Sequence, residues 1–158
     1  MSIDRVNQYF KQWNMENRIQ EFNVSSATVE LAAQALNCEP ARIAKSISFM
    51  VGGNAVLVVA AGDAKIDNHK FKDYFKVKAK MLTPDELLSM VGYPAGGVCP
   101  FAVKEGTSVY LDKSLRRFET VFPACGSSNS AIELSIPELE RYSNYLEWID
   151  VCKSWKAE

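Results

Sequence analysis

Seven consecutive apolar residues, Ala55 to Ala61, follow directly on Gly52-Gly53-Asn54. The run is far too short to cross a bilayer, which takes about 20 residues. It shows almost no polar alternation, so it reads as a strand covered on both faces. Gly-Gly-Asn is a hairpin signal. It makes Lys45-Ser46-Ile47-Ser48-Phe49-Met50-Val51 a neighbouring strand, its faces of mixed character. Whatever else the chain forms, it has to build layers around this buried strand.

The remaining elements follow from periodicity and punctuation. Ile3, Val6, Phe10 and Trp13 recur at helical spacing and predict a helix over residues 2–18, followed by an extended piece from Ile19 to Val24. Ser25 or Ser26 is expected to cap a helix from Ala27 to Leu36, with Asn37 as its stop. Pro40 starts a single turn. Asp67 is expected to cap a helix over Asn68–Phe75, with Phe71, Tyr74 and Phe75 facing inward. Val77–Leu82 reads as a strand. Thr83-Pro84-Asp85-Glu86 and Ser135-Ile136-Pro137-Glu138 are capping-box starts with Pro at the first helical position. Further strands are expected at Ser108–Asp112, Thr120–Ala124 and Ala131–Ser135, with a helical turn at Lys113–Phe118. The tail from Tyr145 to Trp155 is apolar enough to pack back on the body. Strands and helices interleave while several strands are joined by hairpin-length turns, which predicts a mixed α/β fold: a curved mixed sheet with helices outside.

A length of 158 residues suits one domain across residues 1–158, and a net charge of −1 provides no global basic field. The amphipathic start S-I-D-R-V-N-Q-Y-F does not read as a secretory leader. The four cysteines (38, 99, 125 and 152) are therefore expected to be reduced thiols of a cytoplasmic protein. No C-x-x-C occurs and His69 is the only histidine, so neither zinc nor another cofactor is expected. No membrane partner is expected, and nothing in the sequence sets the oligomeric state.

Four stretches are candidates for chemistry. Val91–Phe101, V-G-Y-P-A-G-G-V-C-P-F, carries three glycines, two prolines and no charge. It is either one backbone wall of a small-molecule pocket or a tight buried crossover. Lys45, at a strand start in an apolar context, either reaches an anion or snorkels to solvent. Gly126-Ser127-Ser128-Asn129-Ser130 is either a plain turn or a nest of hydroxyls and amides for a ligand. Lys65 to Lys80 holds six lysines against two aspartates. It suits a phosphate backbone, with Lys65, Lys70 and Lys72 the proposed RNA contacts, or it is a solvated face. Nothing places His69 near Cys99 or Cys125, so an activated protein nucleophile is not expected.

I-A-K-S-I-S-F (43–49), G-G-V-C-P-F (96–101) and A-C-G-S-S-N-S-A-I-E-L (124–134) closely resemble the YbaK/prolyl-tRNA-synthetase-associated domain family. V-V-A-A-G-D (58–63) and V-Y-L-D (109–112) match in order. The resemblance covers roughly residues 2–142. It implies a barrel-like mixed sheet surrounded by helices and a trans-acting deacylase that hydrolyses the ester of mischarged aminoacyl-tRNA, on a cysteinyl or other small-residue ester of proline tRNA. Aminoacyl-tRNA is then the partner, with prolyl-tRNA synthetase a further one. The family's lysine corresponds to Lys45, engaging the 3′ end of the tRNA, and its G-x-x-x-P loop to Gly96–Pro100, whose backbone (Gly96, Gly97, Val98, Pro100) holds the ester. Alanine-clearing relatives carry a histidine in the segment corresponding to Gly126–Ser130. This chain does not, so a mechanism without a side-chain base is expected, with Lys45, Gly96, Ser128 and Ser130 closest to the chemistry. Phe22, Ser26, Thr28, Ser46, Gly126 and Asn129 complete the expected substrate contacts. The rival readings are a non-catalytic module that binds tRNA or a synthetase, and a hydrolase of another small ester or amide.

Overall fold

The computed structural model describes residues 2–156. The hairpin forms as the sequence dictates: β2 (Ile43–Val51) and β3 (Asn54–Ala61) pair antiparallel from Ala44↔Ala61 to Val51↔Asn54. Leu57 through Ala61 have no exposed surface. Parallel to β3 lies β5 (Ser108–Asp112), and parallel to β5 lies β9 (Glu147–Ile149). On the other side β2 meets β6 (Thr120–Pro123) in parallel, and β6 meets β8 (Leu134–Ser135) antiparallel. The six strands run in the order β8-β6-β2-β3-β5-β9 and curl into a half-barrel with helices against it. Two small ribbons complete the architecture. One joins β1 (Ile19–Glu21) to β7 (Ser130–Ile132), the other β4 (Lys65–Ile66) to β10 (Cys152–Lys153). No helix among the described residues is long and apolar enough to cross a membrane.

Local chemistry sets most boundaries. Asp67 caps α3 (Asn68–Phe75) through the His69 and Lys70 amides. Thr83 and Ser135 form complete capping boxes at α4 (Pro84–Met90) and α5 (Ile136–Ser143). Asn37 closes α2 (Val29–Leu36) in the left-handed conformation. The buried Asp112 carboxylate accepts from the Ser114 and Val151 amides at 3.0 and 2.9 Å. It thereby locks the tail to the end of β5.

Five expectations need correction. The first helix, α1, spans only Ser2–Lys11. Asn14 takes φ 58° and the Met15 amide returns to the Phe10 carbonyl, a Schellman-type stop that leaves Met15 still in the core. The α2 cap is Thr28, whose Oγ1 accepts from the Leu31 amide at 3.2 Å. Ser25 and Ser26 instead direct their hydroxyls to the Ser128 carbonyl. Val77–Leu82 is not a strand: Lys76 turns the chain at φ 65°, and only Met81 bridges to Phe49. Tyr74 lies on the flank of α3, 39% exposed. Ala131–Ser135 divides at Glu133 because its two halves serve different sheets; Glu133 itself accepts from Thr120 Oγ1 and Arg42 Nη2.

An ion pair ties the N-terminal region to α5. Arg18 Nη1 donates to Glu138 Oε2 at 2.9 Å and Nη2 to Oε1 at 3.2 Å. The Arg18 hydrogen bonds, with the Ser135 amide, hold the Glu138 carboxyl down to about 2. A depressed carboxyl stabilises the fold above its unfolded pKa, and that contribution disappears as pH falls through the folded value. Stability is expected to fall between about pH 5 and pH 2. Glu138→Gln, which keeps the capping geometry, should flatten that slope while costing up to about 1 kcal/mol at neutral pH. Urea titrations across this pH range check both outcomes.

Candidate functional site

A cleft of about 520 Å³ opens where the outer edge of β2 is left uncovered. Six consecutive β2 residues, Ile43 to Ser48, line it. Side chains alternate between the faces of a strand, so a cavity that sees an unbroken run meets the strand along its edge. The other walls come from the segment entering α2 (Ser26, Ala27, Thr28), from Met81, Leu82, Pro84 and Leu87 around α4, and from Ala95, Gly96 and Val98. Phe122, Ala124, Ser130 and Ala131 close the far side.

The glycine-proline loop does fold inward. Val91, Tyr93, Cys99 and Phe101 are fully buried. Tyr93 donates its hydroxyl to the Phe101 carbonyl and so closes the loop's neck, and the Arg5 guanidinium lies over the Tyr93 ring at 4.4 Å. The loop packs directly on the serine turn. A Cβ added at Gly97 would sit 2.8 Å from the Ser127 Cα and amide nitrogen and 2.9 Å from the Gly126 carbonyl carbon. Gly96, at φ +87°, would bring a Cβ within 3.1 Å of the Ala27 Cβ. Glycine at 97 is thus required by close approach of two backbones, and at 96 by the left-handed conformation as well.

Lys45 stands at the cleft with its ammonium clamped. Nζ donates to the Gly62 carbonyl at 3.3 Å and to the Ala64 carbonyl. An ammonium has three donors, so one remains for a ligand. The turn that supplies both carbonyls is fixed from below. Arg117, only 8% exposed, grips Asp63 with both terminal nitrogens at 2.9 and 2.5 Å. Its Nε donates to the Ser114 carbonyl, and Ser114 Oγ accepts from the Ala61 amide. Burial lowers the Lys45 pKa, and the Asp63 carboxylate is among the charges that oppose that shift.

Of the residues singled out by sequence, Lys45, Gly96, Ser130, Ser26, Thr28, Ser46 and Val98 line the cleft. Ser128 is exposed, faces Gly96 and presents its carbonyl to Ser26. Gly97, Pro100 and Gly126 lie buried behind the wall. Asn129 donates Nδ2 to the Phe22 carbonyl at 3.0 Å, so this pair braces the turn from outside the lining. Lys65 and Lys72 are exposed; Lys70 pairs with Asp150 at 3.0 Å.

The description "Aminoacyl-tRNA editing domain" belongs to the family model that matches residues 24–142. The chain belongs to this family. The proteins similar to it include the "Uncharacterized protein YwhH" of Bacillus subtilis, 55% identical over 157 residues, 99% of this chain and 100% of the relative. A proline–tRNA ligase of Geobacillus sp. is 26% identical over 125 residues, 78% of this chain but 22% of the ligase. Among solved structures, one described as "a putative trans-editing enzyme for prolyl tRNA synthetase" superposes with a TM-score of 0.86 at 25% identity, covering 96% of this chain and 97% of the other.

In this editing domain no side chain of the cleft is a conventional base. His69 is exposed on α3, 3.4 Å from Asp73. Burial pushes the Cys99 thiol up to about 11 and Cys125 well above the ordinary range. Burial raises Cys38 and Cys152 as well, so thiolate nucleophiles are disfavoured at all four positions. Among the described residues no cluster of His, Cys, Asp and Glu could hold a metal ion. The polar groups facing the cleft are the Lys45 ammonium, serine and threonine hydroxyls and backbone. Sequence reasoning missed the Arg117–Asp63 support, since 54 positions separate the partners and no local pattern joins them.

Two substitutions probe this construction. Asp63→Asn is expected to cost about 1–2 kcal/mol in urea unfolding, since the Arg117 guanidinium loses its partner in a half-buried setting. It should also lower the Lys45 pKa further, read by NMR titration of the lysine ε-carbons. Gly97→Ala should cost about 1–3 kcal/mol by forcing the two loops apart, measured in the same unfolding experiment.

Proposed function

We propose that residues 1–158 act as one trans-acting aminoacyl-tRNA deacylase, hydrolysing the ester between a wrongly attached amino acid and the terminal ribose of tRNA. The observation that carries this reading is the cleft itself. It joins a half-buried lysine with one donor to spare, a glycine loop of bare backbone, and hydroxyls with no conventional base to activate them. An aminoacyl ester is already activated, so orientation and charge stabilisation are the main demands on such a site. Lys45 holds the 3′-terminal phosphate or the ester carbonyl. The backbone at Gly96 supports the ester, and Ser130, fixed by its 2.6 Å contact with Ser127 Oγ, orients the attacking group. That group is water or a nucleophile on the substrate's own side chain. It adds to the carbonyl carbon and gives up its proton, the bond to the ribose oxygen breaks, and that proton ends on the departing ribose oxygen. The likeness to a proline–tRNA ligase favours proline tRNA as the acceptor, with cysteinyl and other small-residue esters as substrates. Lys65 and Lys72, both exposed, would meet the RNA backbone, and the reaction would take place in the cytoplasm.

The test is a panel of tRNAs charged with cysteine, alanine, serine or threonine, incubated with purified protein. Release of amino acid from at least one, well above the spontaneous rate, is expected. tRNA binding without release from any would contradict the deacylase and favour a non-catalytic module of the same fold.

A further inference from the structure

The edge of β2 that borders the cleft contains one open rung. In an antiparallel pair, alternate residues direct both backbone groups toward the partner and the others direct theirs away. On β2 the outward set is fixed by two bonds: the Leu82 amide donates to the Ser48 carbonyl at 3.2 Å, and the Met50 amide donates to the Lys80 carbonyl at 2.8 Å. Even-numbered residues therefore face the outer edge. Ala44 is covered there by its register with Pro123. Ser46 lies between these covered positions and has no such partner.

Both neighbours stop short for local reasons. On one side the ladder to β6 ends at Ala44↔Pro123, because Ala124 turns away to bridge Ala131. On the other, continuing past the Phe49–Met81 bridge would require the amide of residue 84, which is proline. The Ser46 side chain shares this state: its Oγ is buried without a hydrogen-bond partner among the described residues. Three polar groups of one residue are thus left open at the wall of a cavity.

We infer that the Ser46 rung binds the α-aminoacyl part of the substrate as though it were a single residue of an added antiparallel strand. The α-ammonium donates to the Ser46 carbonyl, and the ester carbonyl accepts from the Ser46 amide. An α-aminoacyl group carries nitrogen and carbonyl oxygen in the spacing of a peptide residue, so it supplies both halves of a two-bond rung. The gap holds one complete two-group rung, bounded by the Ala44 register with Pro123 and by the Ser48 carbonyl's bond to the Leu82 amide, which is too short for an extended peptide. The contact ignores the substrate's side chain, so discrimination among amino acids rests on the walls of the cleft.

This inference rests on the functional reading above, and matched ligands separate the two. The probes are 3′-amide-linked aminoacyl adenosines carrying alanine, serine or cysteine, each compared with its analogue lacking the α-amine, and free L-alanine. Affinities come from NMR titration of the full-length protein. Every amine-bearing ligand that binds is expected to lose at least about tenfold in affinity without its amine. Free alanine should bind more weakly than its adenosine conjugate. The Ser46 amide should exchange with solvent faster than the Lys45 and Ile47 amides in the free protein, and slow on binding. Equal affinity with and without the amine, a Ser46 amide already protected in the free protein, or tighter binding of free alanine would overturn the rung. Failure of every adenosine conjugate to bind would overturn the functional reading itself.

Discussion

The backbone ladder between β2 and β3 is the interaction on which the rest depends. Because β3 is apolar and buried on both faces from Ala55 to Ala61, it must lie inside the sheet, and its pairing with β2 sets the register of everything outward from it. A slip of one residue would turn Lys45 away from its carbonyl partners and move Ser46 out of the gap in the edge. The same ladder brings the end of β3 back to the start of β2. There the Gly62 and Ala64 carbonyls meet the Lys45 ammonium.

Around this hairpin the cleft arises from incomplete pairing. β6 covers β2 only at its start, and the segment before α4 covers it only near its end. Proline and glycine hold that gap open. Pro84 has no amide to extend the pairing, and Gly97 lets the loop press against the 126–127 backbone. The polar chemistry is correspondingly spare: one ammonium, hydroxyls and amides, with His69 exposed and the thiols buried. That inventory fits an activated ester better than an amide, whose cleavage demands protonation of a poor leaving group.

Much of this was legible in the sequence wherever the cause was local. Gly52-Gly53-Asn54 gave the hairpin, and Asp67, Thr83 and Ser135 gave three helix starts. The inward fold of Val91–Phe101 followed from its apolar flanks. Errors fell where a residue's role was set by a distant partner. Ser25 and Ser26 look like caps but bond to Ser128, a hundred residues on. Helical periodicity runs past Lys11 because Met15 returns to the core through a turn. Met81 alternates like a strand residue, yet only one bridge forms. The open rung at Ser46 and the Arg117 support under Lys45 are set by where separate elements stop or meet, and no local pattern encodes either.

Editing at the edge of β2 would use Lys45, the one charged side chain lining the cleft, to meet the reacting end of the substrate. Single-turnover release of amino acid from a mischarged tRNA, compared between the wild type and Lys45→Ala, tests that placement most directly. A fall of about a hundredfold or more is expected, in the range for removing one charge-stabilising group from a site of this kind, with the variant still folded by circular dichroism. Release at the wild-type rate by a folded Lys45→Ala protein would contradict it.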